Sequence, residues 1–162
     1  MKHKVHFSVV LCRMTVDIVA MRMHANTATV LPEAGVLPCH NSEDELWIML
    51  IRSTLDDIWD VPKGIMKSDQ TPAECAAAEA MDKAGLVGDL RQQPYGVFYY
   101  AEFGRNFEVT MFVQDVDGVY DHWENEDLFF HRWCTIDEAV KKLVHPDLSE
   151  MVPKLPAFYG RV

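Results

Sequence analysis

Alternating apolar and polar positions mark strand-like runs at Thr29 to Leu37, Leu46 to Ile51, Tyr95 to Phe103, Phe107 to Val113 and Phe129 to Cys134. Asn41-Ser42-Glu43-Asp44 is turn chemistry, and Gly104-Arg105-Asn106 is placed to join two runs as a hairpin. Elsewhere the spacing lengthens toward 3.6 and predicts helices over Pro72 to Ala84, Ile136 to Val144 and Leu148 to Leu155. No repeat, low-complexity tract or Gly/Ser linker interrupts this order. The pattern predicts one α/β (α+β) domain, a mixed sheet with helices on both faces.

The first helix is specified most fully. Thr71 is an N-cap, Pro72 occupies the first helical position, and Glu74 completes a capping box. Gly85 stands where a left-handed C-terminal residue is expected. Ala73, Ala76, Ala77, Ala80 and Ala84 form a small-residue face for close approach to a sheet. Glu74, Cys75, Ala78, Glu79 and Asp82 are expected on the opposite arc.

Residues 1–28 do not fit this scheme and are read as a poorly specified leader before a domain at 29–162. Lys2 and Lys4 precede an apolar run from Val5 to Cys12, but Arg13 cuts it short of a secretory signal. A start at Met14, Met21 or Met23 is the simpler expectation. The net charge of −10 argues against a nucleic-acid partner, because the overall field repels phosphate. No apolar run reaches the ~20 residues of a membrane span. Cys12, Cys39, Cys75 and Cys134 lack any paired spacing and read as thiols of a reducing, cytoplasmic compartment.

Chemistry concentrates between Trp59 and Leu86, WDVPKGIMKSDQTPAECAAAEAMDKAGL. This stretch resembles the Nudix hydrolases, whose signature reads Gly-x5-Glu-x7-Arg-Glu-U-x-Glu-Glu-x-Gly-U, with U aliphatic. Gly64, Glu79, Gly85 and Leu86 match, and Ala80 stands for the first U. Gln70 replaces the loop Glu, Ala78 the Arg, and Asp82-Lys83 the closing Glu pair. Glu33-Ala34-Gly35-Val36, the run LWIMLIRS, the Trp123-Glu124 pair and FFHRWCTIDEAVKKL extend the likeness from about Thr29 to Leu155. They are similar to the branch containing the diphosphoinositol polyphosphate phosphohydrolases.

The resemblance implies an α/β/α sandwich and hydrolysis of a nucleoside-diphosphate derivative or another organic diphosphate. It implies Mg²⁺, with Mn²⁺ as the alternative, held by Glu79 and Asp82. Glu79 and Glu124 become the catalytic carboxylates, while Arg52, Lys63 and Gly64 meet the substrate's phosphates. Lys67 and Arg132 are lesser phosphate candidates. The expected partner is a small-molecule diphosphate, and both monomers and homodimers fit the family.

The substituted positions keep a second reading open. Glu79 and Asp82, three residues apart, suit one shared cation, but Asp82 is one methylene shorter than Glu and Lys83 puts an ammonium where a carboxylate is expected. Glu79 and Lys83 also fit an ordinary i,i+4 pair on a solvated helix face. Ala78 removes an Arg that would brace the carboxylates. A catalytically inactive ligand-binding or regulatory module on the same scaffold follows from those changes, and a relic without a ligand is a third reading. Arg52 and Lys63 also read as surface cations, and Glu124 and Glu126 as part of a solvated acidic loop. Phe98, Tyr99 and Tyr100 suit either base stacking or core packing. His122, His131 and His145 show no ligand spacing.

Overall fold

A computed structural model describes residues 29–42 and 44–160. The expected leader, Cys12 and the first turn's Glu43 lie outside them. The strands are β1 (Val30–Ser42), β2 (Glu45–Ser53), β3 (Trp59–Asp60), β4 (Lys63–Ile65), β5 (Leu86–Leu90), β6 (Gly96–Glu102), β7 (Arg105–Val119) and β8 (Phe129–Thr135). The helices are α1 (Pro72–Ala84), α2 (Ile136–Lys142), α3 (Pro146–Met151) and α4 (Leu155–Phe158).

β1 organises the mixed sheet. It runs parallel to β7 from Val30↔Asn106 to Cys39↔Asp115. On its other side it is shared between two antiparallel partners, β4 at Glu33 to Gly35 and β2 at Cys39 to Ser42. Between them, the Val36 N–H donates to the Pro62 carbonyl at 2.9 Å. The sheet therefore parts around the Pro62-Lys63 turn. β8 pairs with β2, while β5 and β6 pair with β7.

Side-chain alternation along these strands builds two cores. Leu37, Cys39, Ile48, Leu50, Val109, Met111 and Val113 pack on one face with Ala139, Leu143, Leu148, Val152 and Leu155 of the C-terminal segment. Ala34, Val36, Met49, Ile51, Phe112 and Val116 pack on the other with α1. The result is the expected sandwich, with the sheet between α1 and the C-terminal helices.

Local chemistry explains where the observed elements depart from the sequence pattern. α1 has the expected bounds and capping box, but Cys75 is buried with Ala76, Ala80 and Ala84, while Ala77 is exposed. The packed arc is thus rotated toward Cys75, whose thiol lies 3.6 Å from the Gly64 carbonyl. The β6–β7 hairpin turns one residue early, at Phe103 and Gly104, both with positive φ. That is the two-residue geometry matching strand twist. β5 is the longest of the strands that the pattern did not mark. Its Gly88 sits at a register shift where a Cβ would come within 2.0 Å of the Asp115 carbonyl oxygen. The expected last helix is broken into α3, a 3₁₀ turn at Val152–Lys154 and α4, because Pro153 and Pro156 cannot donate backbone hydrogen bonds.

Candidate functional site

The parted sheet leaves a cleft of about 550 Å³. Its lining includes Asp60, Lys63, Lys83, Tyr99, Tyr100 and His145. Lys63 enters from the start of β4, Lys83 from the last turn of α1, the tyrosines from β6, and His145 from the α2–α3 connection.

Lys63 is the centre of a largely buried network. Its ammonium lies 3.2 Å from Asp60 Oδ2 and 3.7 Å from Glu33 Oε2, and it donates to Tyr100 Oη at 3.0 Å. Tyr100 in turn donates to Glu33 Oε2 at 2.9 Å. His145 Nε2 lies 3.2 Å from Asp60 Oδ2, and its ring packs 4.3 Å from that of Tyr100. Burial works to lower the Lys63 pKa, but the charges of Asp60 and Glu33 hold it above its ordinary value. Burial likewise works against ionised Asp60, yet the His145 hydrogen bond and Lys63 keep it below the usual carboxylate range. Burial pushes the Tyr100 phenol up to about 12 against the opposing Lys63 hydrogen bond. Both Lys63 and Asp60 are therefore charged at neutral pH, and both are already paired.

The second cation has a different setting. Lys83 Nζ lies 3.0 Å from Glu79 Oε2 and donates to the Lys63 backbone carbonyl. The side chains of Glu79 and Lys83 are only 22% and 25% exposed. The i,i+4 pair exists, but on the flank of the cleft rather than the expected solvated face. Gly64 admits it: a Cβ there would fall 2.4 Å from Glu79 Cδ and Oε1.

The other expected carboxylates lie around a second cavity of about 500 Å³, lined by Lys67, Gln70, Ala78, Glu79, Asp82, Trp123 and Glu124. Asp82 is exposed there and accepts from Asn125 Nδ2, and Glu124 is exposed as well. Glu79 lines this second cavity, and its carboxylate pairs with Lys83, which lines the first. Arg52 joins neither lining. Its guanidinium pairs with Asp57 and lies 5.5 Å from the Trp59 ring and 4.9 Å from the Phe130 ring.

The donor set does not fit a helix-held divalent ion. Among the described residues no group of three or more His, Cys, Asp or Glu is placed to share a metal. The space between Glu79 and the Lys63 carbonyl already holds the Lys83 ammonium. Two unit charges ~4 Å apart repel by about 4 kcal/mol at a surface-like dielectric, and a divalent ion beside Lys83 doubles that.

Sequence reasoning named Lys63, Gly64, Glu79, Asp82 and Glu124, but not the Glu33–Tyr100–Asp60–His145 surround. One signal was present. Glu33 shares its strand face with Leu37 and Cys39, and a carboxylate on an apolar stripe requires a buried partner. His145 had no such mark, because its partner Asp60 is remote in sequence.

The NUDIX domain profile matches residues 30–155. Over 109 residues the chain is 29% identical to Nudix hydrolase 13, mitochondrial, of Arabidopsis thaliana, covering 61% of this chain and 54% of that protein. It is 31% identical over 108 residues to the Mus musculus diphosphoinositol polyphosphate phosphohydrolase 3-alpha, covering 65% of each. The matches thus span about half the length of the Arabidopsis relatives and just under two-thirds of the mouse one. The fold is shared with the crystal structure of C. elegans Ap4A hydrolase, at TM-score 0.68 and 16% identity, over 81% of this chain and 99% of that one. With the profile covering the sheet and its flanking helices together, the chain belongs to the Nudix family.

Proposed function

We propose that this Nudix domain binds a diphosphate-containing small molecule, a nucleoside-diphosphate derivative being the first candidate, and that Mg²⁺-dependent turnover through α1 is lost. The observation carrying this reading is the Lys83 ammonium lodged between Glu79 and the Lys63 carbonyl. The cleft offers Lys63 and Lys83 for phosphate, with Tyr99, Tyr100, Ile58 and Val144 for an aromatic or apolar group. Asp56, Asp60 and Glu102 line it too, which favours a ligand of modest negative charge over a densely phosphorylated one. Buried free thiols at Cys39, Cys75 and Cys134 suit a reducing compartment such as the cytoplasm. Among the described residues no helix is long and apolar enough to cross a membrane.

The test is a panel of organic diphosphates read by turnover and by melting, with Mg²⁺ and with Mn²⁺. The expected result is no hydrolysis, with melting raised by about 5–10 °C at a hundredfold excess of ligand over Kd. Rapid turnover that disappears in Glu79→Gln sinks this reading.

A second reading draws on the other cavity, where Glu79, Asp82 and Glu124 share one lining. It is Mg²⁺-dependent hydrolysis, with Mn²⁺ as the alternative, in which Glu79 and Asp82 hold the ion, Glu124 serves the attacking water, and Arg52, Lys63 and Gly64 meet the phosphates. Loss of turnover in both Asp82→Asn and Glu124→Gln is its signature.

A further inference from the structure

The Lys83 ammonium is held by two oxygens of different origin, the Glu79 carboxylate on its own helix and the Lys63 carbonyl across the cleft wall. Both are hard oxygen donors of the kind a divalent cation selects. The helix sets this geometry. Its capping box fixes one end, and Gly85, left-handed at φ 57, ends it two residues after Lys83. Trp123 closes over Gly85, where a Cβ would lie 2.5 Å from the indole. Lys83 is therefore anchored at its backbone as well as at its tip.

The two cleft cations are not equivalent. Lys63 is enclosed by Asp60, Glu33 and Tyr100, so its charge is balanced by two carboxylates. Lys83 has one carboxylate partner among the described residues and lines the cleft. An ammonium carries three N–H donors. One is donated to the Lys63 carbonyl, and the ion pair with Glu79 still leaves an N–H for a ligand oxygen.

We propose that Lys83 is the resident cation of this cleft. Its ammonium fills the place between Glu79 and the Lys63 carbonyl, excludes a divalent ion from it, and donates directly to a phosphate oxygen of a diphosphate ligand. Ligand binding is then independent of metal. The phosphate contact rests on the ligand-binding reading above; the exclusion of metal does not.

Calorimetry tests both parts, with ADP and inorganic pyrophosphate as probes, in EDTA and again in Mg²⁺. Wild type, Lys83→Met and Lys83→Glu are compared after each is shown to melt cooperatively. Wild type is expected to bind at least one probe equally in the two buffers. Lys83→Met is expected to weaken that binding about 10- to 100-fold, the loss of a charge-assisted hydrogen bond. Mn²⁺ is expected to bind Lys83→Glu, which adds a carboxylate beside Glu79, and not the wild type. Mn²⁺ binding by the wild type that Glu79→Gln abolishes overturns the proposal, as does probe binding that appears only with Mg²⁺. No binding of either probe to any form overturns the ligand-binding reading instead, and the Mn²⁺ titrations still decide whether Lys83 holds the cation's place. If Lys83→Met fails to melt cooperatively, Lys83→Gln takes its part under the same criteria.

Discussion

The Glu79 carboxylate occupies the space that a side chain on Gly64 would need, within 2.4 Å of the position its Cβ would take. Gly64→Ala must therefore push the carboxylate away from Lys83. The obstacle is the flexible end of a side chain, so the stability cost is expected near the low end of the ~1–3 kcal/mol of overpacking. Gly35→Ala is different, because its Cβ would meet the Pro62 carbonyl oxygen at 2.7 Å. There the backbone at the parting of the sheet must move, and the cost is expected at the upper end of the same range. Urea unfolding of the two variants checks the order, and the reverse order sinks the argument.

Removing the Lys63 charge strands two carboxylates. Glu33 is 6% exposed, and it and Asp60 both face the Lys63 ammonium. Lys63→Met is expected to cost about 3–5 kcal/mol, the penalty of leaving buried charge unpaired. Glu33→Gln keeps an acceptor for Tyr100 and leaves Lys63 paired with Asp60, so its expected cost is about 0.5–1.5 kcal/mol. Equal costs in chemical denaturation contradict a network centred on Lys63.

The same network sets a pH profile. Asp60 is held below its ordinary 3.8, so its contribution is present above that value and is lost as pH falls through the lowered one. Lys63 is held above 10.5, so its contribution is complete below that value and is lost only at still higher pH. Tyr100, raised from 10.0 to about 12, favours its neutral form, and its contribution declines as pH climbs through that interval. Melting temperature is thus expected to show a plateau between about pH 5 and 9, an acid limb blunted in Asp60→Asn, and an alkaline limb blunted in Tyr100→Phe. An acid limb unchanged in Asp60→Asn rules this assignment out.

Helix stability and ligand chemistry are separable in α1. The Thr71 side chain accepts from the Glu74 N–H, and the Glu74 carboxylate accepts from the Thr71 N–H at 2.8 Å. Thr71→Ala is expected to cost about 1 kcal/mol, or roughly 2–4 °C in melting for a chain of this size. Diphosphate affinity should not change, since neither residue lines the cleft. Scanning calorimetry with a ligand titration measures both.

The elements most legible in the sequence are those fixed by local chemistry. α1 announced both ends through Thr71, Pro72, Glu74 and Gly85, and its observed bounds follow them. Strand alternation located β1, β2, β6, β7 and β8. β5 was hidden because Gly88 breaks its period and its pairing is supplied by β7. At the site, the signature named both Gly64 and Glu79, and the structure brings them into contact between β4 and α1. The direction of Lys83 was not encoded. An i,i+4 pair is satisfied equally on a solvated or an enclosed face, and only the position of the Lys63 carbonyl decides between them. The His145–Asp60 contact depends on the return of the C-terminal segment to the cleft and had no local precursor.

The long parallel pairing of β1 with β7 also constrains how the chain comes into being. Val30 is made well before its partner Asn106, and a ribosome adding ~5–20 residues per second takes roughly 4–15 s to bridge the gap. During that interval β1 can zip to β2 through Cys39↔Ile48 and its neighbours, a nearby and inexpensive closure. The alanine face of α1 rests on Ala34, Val36, Met49 and Ile51 but lacks Phe112 and Val116 until β7 arrives. The nascent amino-terminal half therefore waits with an unpaired inner edge, and β7 is the strand whose synthesis completes the pairing of β1.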